Sequence, residues 1–264
     1  GDVYTWGSNI YLGDGSTGRP SNGDNRATRN FATKMTLPDP VNGGKVVQIG
    51  VTGGRNTTTI NNSSSSNINN SYYVLFKADG AETGELWSLG ANTHRQLGTF
   101  NTTWSTSWQK VLKPASPDGT GATSHFADVK MFSVQEHDWG YAGSGSVAAI
   151  DSEGDVYTWG SNNGNMIGGE SGSTSDPKVQ GDLLKTKGSG EIKARYVEVG
   201  GHTTAYSPEN SPKFCYVGHL TNGSMGNNTH NTGNPWQFDC DRTPAVNICG
   251  ADSIGAVDDV MDSI

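Results

Sequence analysis

The sequence predicts an all-β fold, a β-propeller built from four-stranded blades, and three observations lead to this fold class. The nonamer GDVYTWGSN occupies residues 1–9 and returns letter for letter at residues 154–162. The glycine-ended core of this nonamer recurs in related form at two further places in the 264-residue chain. The composition, with 37 glycines and only 32% hydrophobic residues, suits many short strands joined by polar loops and disfavours helices. Four-stranded antiparallel units repeated along a chain are typical of β-propellers.

Each repeat is organised around a short strand, here called strand c, that ends in a glycine. Its copies read GDVYTWG, GELWSLG, GDVYTWG and KFCYVG, and they close on Gly7, Gly90, Gly160 and Gly218. Trp6 and Trp159 are predicted to pack in the core beside a glycine that allows close backbone approach. Neither tryptophan is expected to be catalytic.

Three further strands follow each strand c in a constant order. Strand d is expected at a Pro-containing stretch, in LPDPV, QKVLKP, DPKV and TPAV. Strand a is expected in KVVQIG, ADVKMFSV, ARYVEVG and AVNICG, and strand b in YYVLFKADG, SVAAIDSEG, TTAYSPENS and SIGAVDD. The turn residues KADG, DSEG and PENS separate strand b from strand c, as tight turns require.

From Asp2 to Asp259 this pattern resembles the regulator of chromosome condensation (RCC1) repeat. The residues that carry the resemblance are DVYTWGSN, the following LG or IG, the Pro-Val strand and VEVGGHTTA. The resemblance implies an RCC1-like β-propeller, of the kind found in bacteriophage structural and tail-associated proteins. The chain departs from the motif where Leu89 and Val217 replace its tryptophan. One propeller domain is expected over 1–264, with about four repeat units at roughly 1–80, 81–154, 155–212 and 213–264, permuted relative to the blades.

The order of strands leaves two ring arrangements open, because the chain starts at a strand c and ends at a strand b. The chain is either a slice of a larger ring, which is favoured since rings of the family are larger, or a small closed ring. In the closed ring the first c and d strands complete a blade with the last a and b strands. An open slice would expose two sheet edges, and such edges need covering.

Long loops are expected at one end of the propeller, where the a–b and c–d connections lie together. The a–b loops span Gly50–Ser71 and Gln135–Gly145, and the c–d loops span Asp14–Thr36, Thr99–Trp108 and Gly169–Asp176. Recognition tends to reside in long loops on a rigid scaffold. The candidate ligand-facing or partner-facing residues in these loops are Arg55, Asn56, Trp104, Trp108, His137, Trp139 and Tyr141. The alternative is that Trp108 starts strand d and that Trp139 only fixes its own loop.

No catalytic constellation, cofactor motif or metal-ligand spacing is recognised in the sequence, so no catalytic residue, cofactor or metal is expected. The net charge of −8 disfavours nucleic acid as a partner. No apolar window approaches the roughly 18 residues of a membrane-spanning helix, and membrane insertion is not expected. Cys215, Cys240 and Cys249 are interpreted as free thiols, with a Cys240–Cys249 pair as the alternative.

The favoured function is a non-enzymatic recognition or structural module. The polar, Gly-, Asn-, Ser- and Thr-rich composition and the long loops favour a bacteriophage virion protein, in a tail fibre or on the particle surface. Such a protein contributes to assembly or host attachment, as part of a larger assembly, with other virion proteins or a host surface receptor or glycan as partners. Its expected location is the virion surface or the extracellular space. The alternative is an intracellular RCC1-like regulator, either a GTPase exchange factor or a protein-interaction scaffold.

Overall fold

A computed structural model describes residues 1–9, 27–41, 43–52, 70–116, 121, 123–135, 145–162, 165–168, 174–179, 193–200, 203–210 and 215–218. The strands of these residues are β1 (Tyr4–Asn9), β2 (Ala27–Lys34), β3 (Lys45–Val51), β4 (Ser71–Lys77), β5 (Glu85–Gly90), β6 (Ser105–Lys110), β7 (Leu112–Pro114), β8 (Thr123–His125), β9 (Val129–Val134), β10 (Ser146–Asp151), β11 (Val156–Ser161), β12 (Thr174–Val179), β13 (Ala194–Val199), β14 (Thr203–Pro208) and β15 (Cys215–Gly218). The predicted all-β class is confirmed.

Two blades are complete within the described residues. Their strand orders are β3-β4-β5-β6 and β9-β10-β11-β12, and every neighbouring pair is antiparallel. Strands β13-β14-β15 form a three-stranded sheet, and β1 and β2 form a two-stranded sheet. The predicted order a, b, c, d is therefore confirmed, and strand c lies inside the sheet of both complete blades.

The pairing of strands b and c keeps the same register in three blades. Ser71 faces Gly90, Ser146 faces Gly160 and Thr203 faces Gly218. Gly160 has a φ of +95°, and a Cβ atom placed on it would lie 2.2 Å from the carbonyl oxygen of Gly145. The motif glycine is thus required both by its backbone conformation and by the close approach of strand b.

Strand d departs from its prediction. In the first repeat it is β2, which lies inside the predicted loop Asp14–Thr36, whereas residues 37–41 form no strand. Pro38 and Pro40 lack the N–H groups that a ladder needs, which explains why pairing ends before them. β6 and β12 also begin within the predicted loops Thr99–Trp108 and Gly169–Asp176.

One short hairpin, formed by β7 and β8, was not expected. Three further predicted strands lie outside the described residues, so their positions cannot be compared with the structure. β8 pairs with β7 inside the link between the second and third blades. The stretches TPAV, AVNICG and SIGAVDD lie outside the described residues.

The core lies between the sheets. Strands β3 and β9 are joined by the side chain of Gln48, whose Nε2 donates to the carbonyl oxygen of Phe132 at 2.6 Å. The Phe132 amide donates back to Gln48 Oε1 at 3.2 Å. The ring of Phe132 packs against Tyr73 with 6.0 Å between the centroids. An amide clamp and an aromatic contact therefore help to join these two neighbouring blades.

The two copies of the repeated nonamer have opposite environments. Trp159 in β11 is fully buried, which confirms its predicted core position. Trp6 in β1 is 67% exposed, so its predicted core position is wrong in this structure. The cause is the surroundings, because β11 is paired on both sides whereas β1 pairs, among the described residues, only with β2.

The interpretation of all three cysteines as free thiols is also wrong. Cys215 in β15 is buried and disulfide-bonded. Cys240 and Cys249 lie outside the described residues. A disulfide at Cys215 was not predicted, because the only pair considered was Cys240–Cys249 and the cysteine nearest to Cys215 in sequence is 25 residues away, at Cys240.

Candidate interaction surface

Because neighbouring strands within a blade are antiparallel, the a–b and c–d connections lie at the same end of each sheet. At this end of the second blade, the Thr52 amide donates to the carbonyl oxygen of Ser71 at 2.9 Å. In the third blade the Gln135 amide donates to the carbonyl oxygen of Ser146 at 2.8 Å. These bonds close the bases of the two long a–b loops, beside the c–d loops. We call this end the loop surface.

The c–d loop of the second blade, residues 91–104, is held by the buried side chain of Asn92. Its Oδ1 accepts the Leu97 amide at 2.9 Å, and its Nδ2 donates to the carbonyl oxygens of Asn101 at 2.9 Å and Thr103 at 3.1 Å. One amide group thus joins both halves of the loop. A loop whose shape is fixed in advance loses little conformational entropy when it binds a partner.

In the third blade an asparagine holds the c–d loop in the same way. Asn162 Oδ1 accepts the Ile167 amide at 3.1 Å, as Asn92 accepts that of Leu97. Arg95 and Asn165, each three residues further on, both have a positive φ near +60°. Sequence reasoning missed this asparagine, although it stands two residues after the glycine that ends the strand c motif in three repeats, at Asn9, Asn92 and Asn162.

The same loops bind one blade to the next through a backbone carbonyl. The carbonyl oxygen of Gln96 accepts Tyr73 Oη at 2.6 Å within its own blade and Trp159 Nε1 at 2.8 Å from the next blade. The carbonyl oxygen of Met166 has the corresponding place, and it accepts Thr204 Oγ1 at 2.5 Å. In this sheet Val217 replaces the motif tryptophan. The hydrogen-bond donor is instead Thr204, which lies opposite Val217 in the adjacent strand β14.

Two of the seven candidate residues are described. Trp104 is half-buried at the end of the c–d loop, and its indole Nε1 donates to Thr93 Oγ1 at 3.0 Å. Trp108 lies in β6, where its Nε1 donates to the carbonyl oxygen of Thr36 at 2.7 Å and its ring packs against an apolar cluster containing Trp87. The alternative assignment of Trp108 to strand d is the one that the structure supports.

The other five candidates are not placed. Arg55, Asn56, His137, Trp139 and Tyr141 lie outside the described residues. Their assignment to the loop surface stays a prediction.

A group of charges around the buried Asp151 lies between blades, where it has a structural role. Lys113 Nζ donates to Asp128 Oδ2 at 2.6 Å and to Asp151 Oδ2 at 2.9 Å, and it sits over the Tyr157 ring at 5.2 Å. Burial disfavours the ammonium ion, but its hydrogen bonds to the two carboxylates outweigh this, so the pKa of Lys113 is raised. Every member of the group has a partner of opposite charge or a ring contact, as a structural cluster requires.

His125 and Glu85 form a second titratable pair beside Trp87. The His125 Nδ1 lies 3.6 Å from Glu85 Oε2, and its Nε2 lies 3.1 Å from the carbonyl oxygen of Leu86. Burial lowers the pKa of His125, although the Leu86 carbonyl and Glu85 act in the opposite direction. The neutral imidazole is therefore favoured in the folded protein.

In the described part of the chain, no group of three or more His, Cys, Asp and Glu side chains lies close enough to hold a metal ion. No helical segment of membrane-spanning length and hydrophobicity occurs in the same residues.

A second candidate surface is apolar and lies between β1 and β3. Its large exposed side chains include Tyr4, Trp6, Val47, Ile49 and Val51. A cavity of about 310 Å³ opens beside Tyr4, Trp6, Ile49 and Val51, and Tyr72 and Trp108 also line it. Contiguous exposed apolar surface of this kind marks a contact that the described residues do not complete. We call it the open face.

Comparison with known proteins finds several solved structures with similar folds. Among them are the yeast RCC1 protein (Prp20) with Kap60 bound, human WBSCR16, and Prp20p from Saccharomyces cerevisiae. The identities are 15%, 16% and 15%, the TM-scores are 0.49, 0.38 and 0.45, and 90%, 88% and 86% of this chain is covered. The chain spans 44%, 60% and 41% of those proteins, less than two thirds of each.

No family model matches the chain, and no curated protein matches it in sequence. All three TM-scores lie below 0.5. The fold assignment therefore rests on the four-stranded sheets themselves.

Proposed function

We propose that the chain is a non-enzymatic recognition module that binds a protein or glycan partner through its loop surface. The observation that carries this proposal is the c–d loop at residues 91–104. Its buried Asn92 fixes the loop, and Thr93 and residues 101–103 are exposed beside the half-buried Trp104. A rigid loop with exposed polar groups next to an aromatic ring is suited to contact with proteins and sugars.

We further propose that the module belongs to a bacteriophage virion, in a tail fibre or on the particle surface, and contributes to assembly or host attachment. The support for this is the composition, with 37 glycines and 17% charged residues, together with the long Asn- and Ser-rich segments between strands. Such a module works as part of a larger assembly, where the long loops reach other virion proteins or a host receptor.

The first experiment asks where the protein is found. Gradient-purified particles and the soluble fraction of the same source are compared by quantitative peptide mass spectrometry. The proposal predicts a fixed copy number per particle. Recovery only in the soluble fraction contradicts the virion role, and nucleotide release from a small GTPase accelerated by the pure chain would favour the exchange-factor alternative.

The second experiment tests the loop surface itself. A photo-crosslinking amino acid is placed at Thr102 on this surface or at Asp79, which is exposed at the opposite end of the same blade. Crosslinks to other proteins of the assembly are expected from position 102 and not from position 79. Equal crosslinking at both positions, or crosslinking only at 79, contradicts the assignment of the binding surface.

A further inference from the structure

Two aromatic side chains on the loop surface are only half-buried and do not belong to the core. Phe100 and Trp104 lie in the c–d loop of the second blade, at residues 91–104. In the described part of the chain, neither ring is among the side chains of the two apolar clusters, whereas Trp108 packs against one of them. Core packing therefore does not account for these two rings, and both remain partly exposed.

Phe100 has a backbone conformation that does not suit its side chain. Its φ is +58°, in the left-handed region that glycine occupies without strain and a bulky residue occupies at a cost. Side-chain bonds fix this turn, since Asn101 Nδ2 donates to the Thr99 carbonyl oxygen at 3.2 Å and Asn101 Oδ1 accepts the Thr103 amide at 2.8 Å. A phenylalanine at a position that favours glycine is expected where its ring serves a purpose other than stability.

Trp104 and two hydroxyl groups are held beside this turn. The indole Nε1 donates to Thr93 Oγ1 at 3.0 Å, and the carbonyl oxygen of Thr103 accepts the buried Asn92 Nδ2 at 3.1 Å. Thr102 and Thr103 are exposed, and their hydroxyl groups make no hydrogen bond to any described residue. The loop thus presents rings and hydroxyls in a fixed arrangement, which lowers the entropic cost of binding.

The composition of this loop does not match the centre of a protein–protein interface. No charged residue occurs between Arg95 and Lys110, and serine and threonine are the commonest residues of that stretch. The residues that dominate binding between proteins are enriched in Trp, Tyr and Arg and poor in Ser and Thr. A stretch without charge also offers no ion pair to an acidic or basic ligand.

A neutral sugar has the complementary chemistry. One face of a pyranose ring presents C–H groups that pack on the π face of an aromatic side chain. The hydroxyls at its rim donate and accept hydrogen bonds, as threonine hydroxyls do. We propose that this c–d loop binds neutral glycans, with Phe100 and Trp104 as the stacking rings and Thr102 and Thr103 as the hydrogen-bonding groups. The inference rests on the proposed function, since it names the partner class of the loop surface.

A glycan array probed with the full chain tests the ligand class. The array carries neutral oligosaccharides of glucose, galactose, mannose and N-acetylglucosamine beside sialylated, sulfated and uronic-acid glycans. Binding to neutral oligosaccharides is expected. Binding confined to the acidic glycans, or binding to none of the glycans, overturns the proposal.

Phe100→Gly separates a binding role of the ring from a structural one. Glycine relieves the left-handed φ, so the urea midpoint of this variant is expected to stay close to that of the wild type. Its affinity for the neutral oligosaccharide bound on the array, measured by titration calorimetry, is expected to fall about tenfold, and that of Trp104→Ala likewise. The matched control is Phe31→Ala, which removes a 72% exposed ring from β2 and should leave the affinity unchanged. Unchanged affinity in both loop variants refutes the assignment of the site.

Crosslinking from position 102 distinguishes a failure of this inference from a failure of the proposed function. Protein crosslinks from this position, in a chain that binds no glycan, refute the glycan site and leave the recognition role of the loop surface intact. If the chain neither binds a glycan nor forms these crosslinks, both proposals fail.

Discussion

Replacing Trp159 with alanine is expected to cost about 4 kcal/mol of unfolding free energy. The side chain is fully buried at the boundary between two blades, and truncating a buried tryptophan costs about 3–5 kcal/mol in transfer and cavity terms. The lost indole hydrogen bond adds little, because the carbonyl oxygen of Gln96 keeps its bond from Tyr73 Oη at 2.6 Å.

The assay is urea unfolding followed by circular dichroism. With a slope of about 2–3 kcal/mol/M, the loss of about 4 kcal/mol places the urea midpoint of the W159A variant about 1.3–2 M below that of the wild type. The control is W104A, which removes a half-buried tryptophan of the loop surface and should cost about 1 kcal/mol or less. A W159A variant within about 1 kcal/mol of the wild type would refute the assignment of this indole to the blade boundary.

Three further changes test other parts of the fold by the same assay. Asn92→Ala removes a buried amide and leaves loop groups unpaired, so a loss of about 2–3 kcal/mol is expected. Gly160→Ala forces a Cβ to 2.2 Å from a backbone oxygen and should cost more than about 2 kcal/mol. The control Gly43→Ala, with a φ of +62° but no atom within 4 Å, should cost about 1 kcal/mol. The lowered pKa of His125 means that the unfolded chain takes up its proton first, so stability is lost as the pH falls below 6.5. His125→Gln should flatten that loss when unfolding is measured between about pH 7 and 5; an unchanged pH profile would contradict the burial of this imidazole.

The strands could be predicted because their signals are local. Strands a, b and c carry alternating apolar residues between turn residues, and β3, β4 and β11 lie where the pattern places them. Strand d was misplaced in the first repeat because its conspicuous prolines mark the end of pairing rather than the strand. β2 has few apolar residues, so its sequence gives little strand signal.

The contacts between blades could not be predicted, because they depend on which blade neighbours which. Nothing in the sequence of Trp6 and Trp159 separates them, since their flanking residues are the same. The two side chains differ in exposure because the strands and blades that lie beside them differ, and those neighbours are distant in the sequence. The role of Asn92 is different, since its recurrence after strand c was visible. It was overlooked because Asn is so common in this chain that a repeated one carries little signal.

The central claim is that each glycine-ended motif forms an inner strand of a four-stranded blade. Residue-resolved amide exchange tests it most directly in the second blade, where β5 is inner and β6 is the outer strand. We expect the amides of Glu85–Gly90 to be protected along the whole strand, whereas the amides of β6 exchange faster, because β6 is the edge strand of this sheet among the described residues. Exchange from β5 as fast as from β6 would contradict the blade architecture.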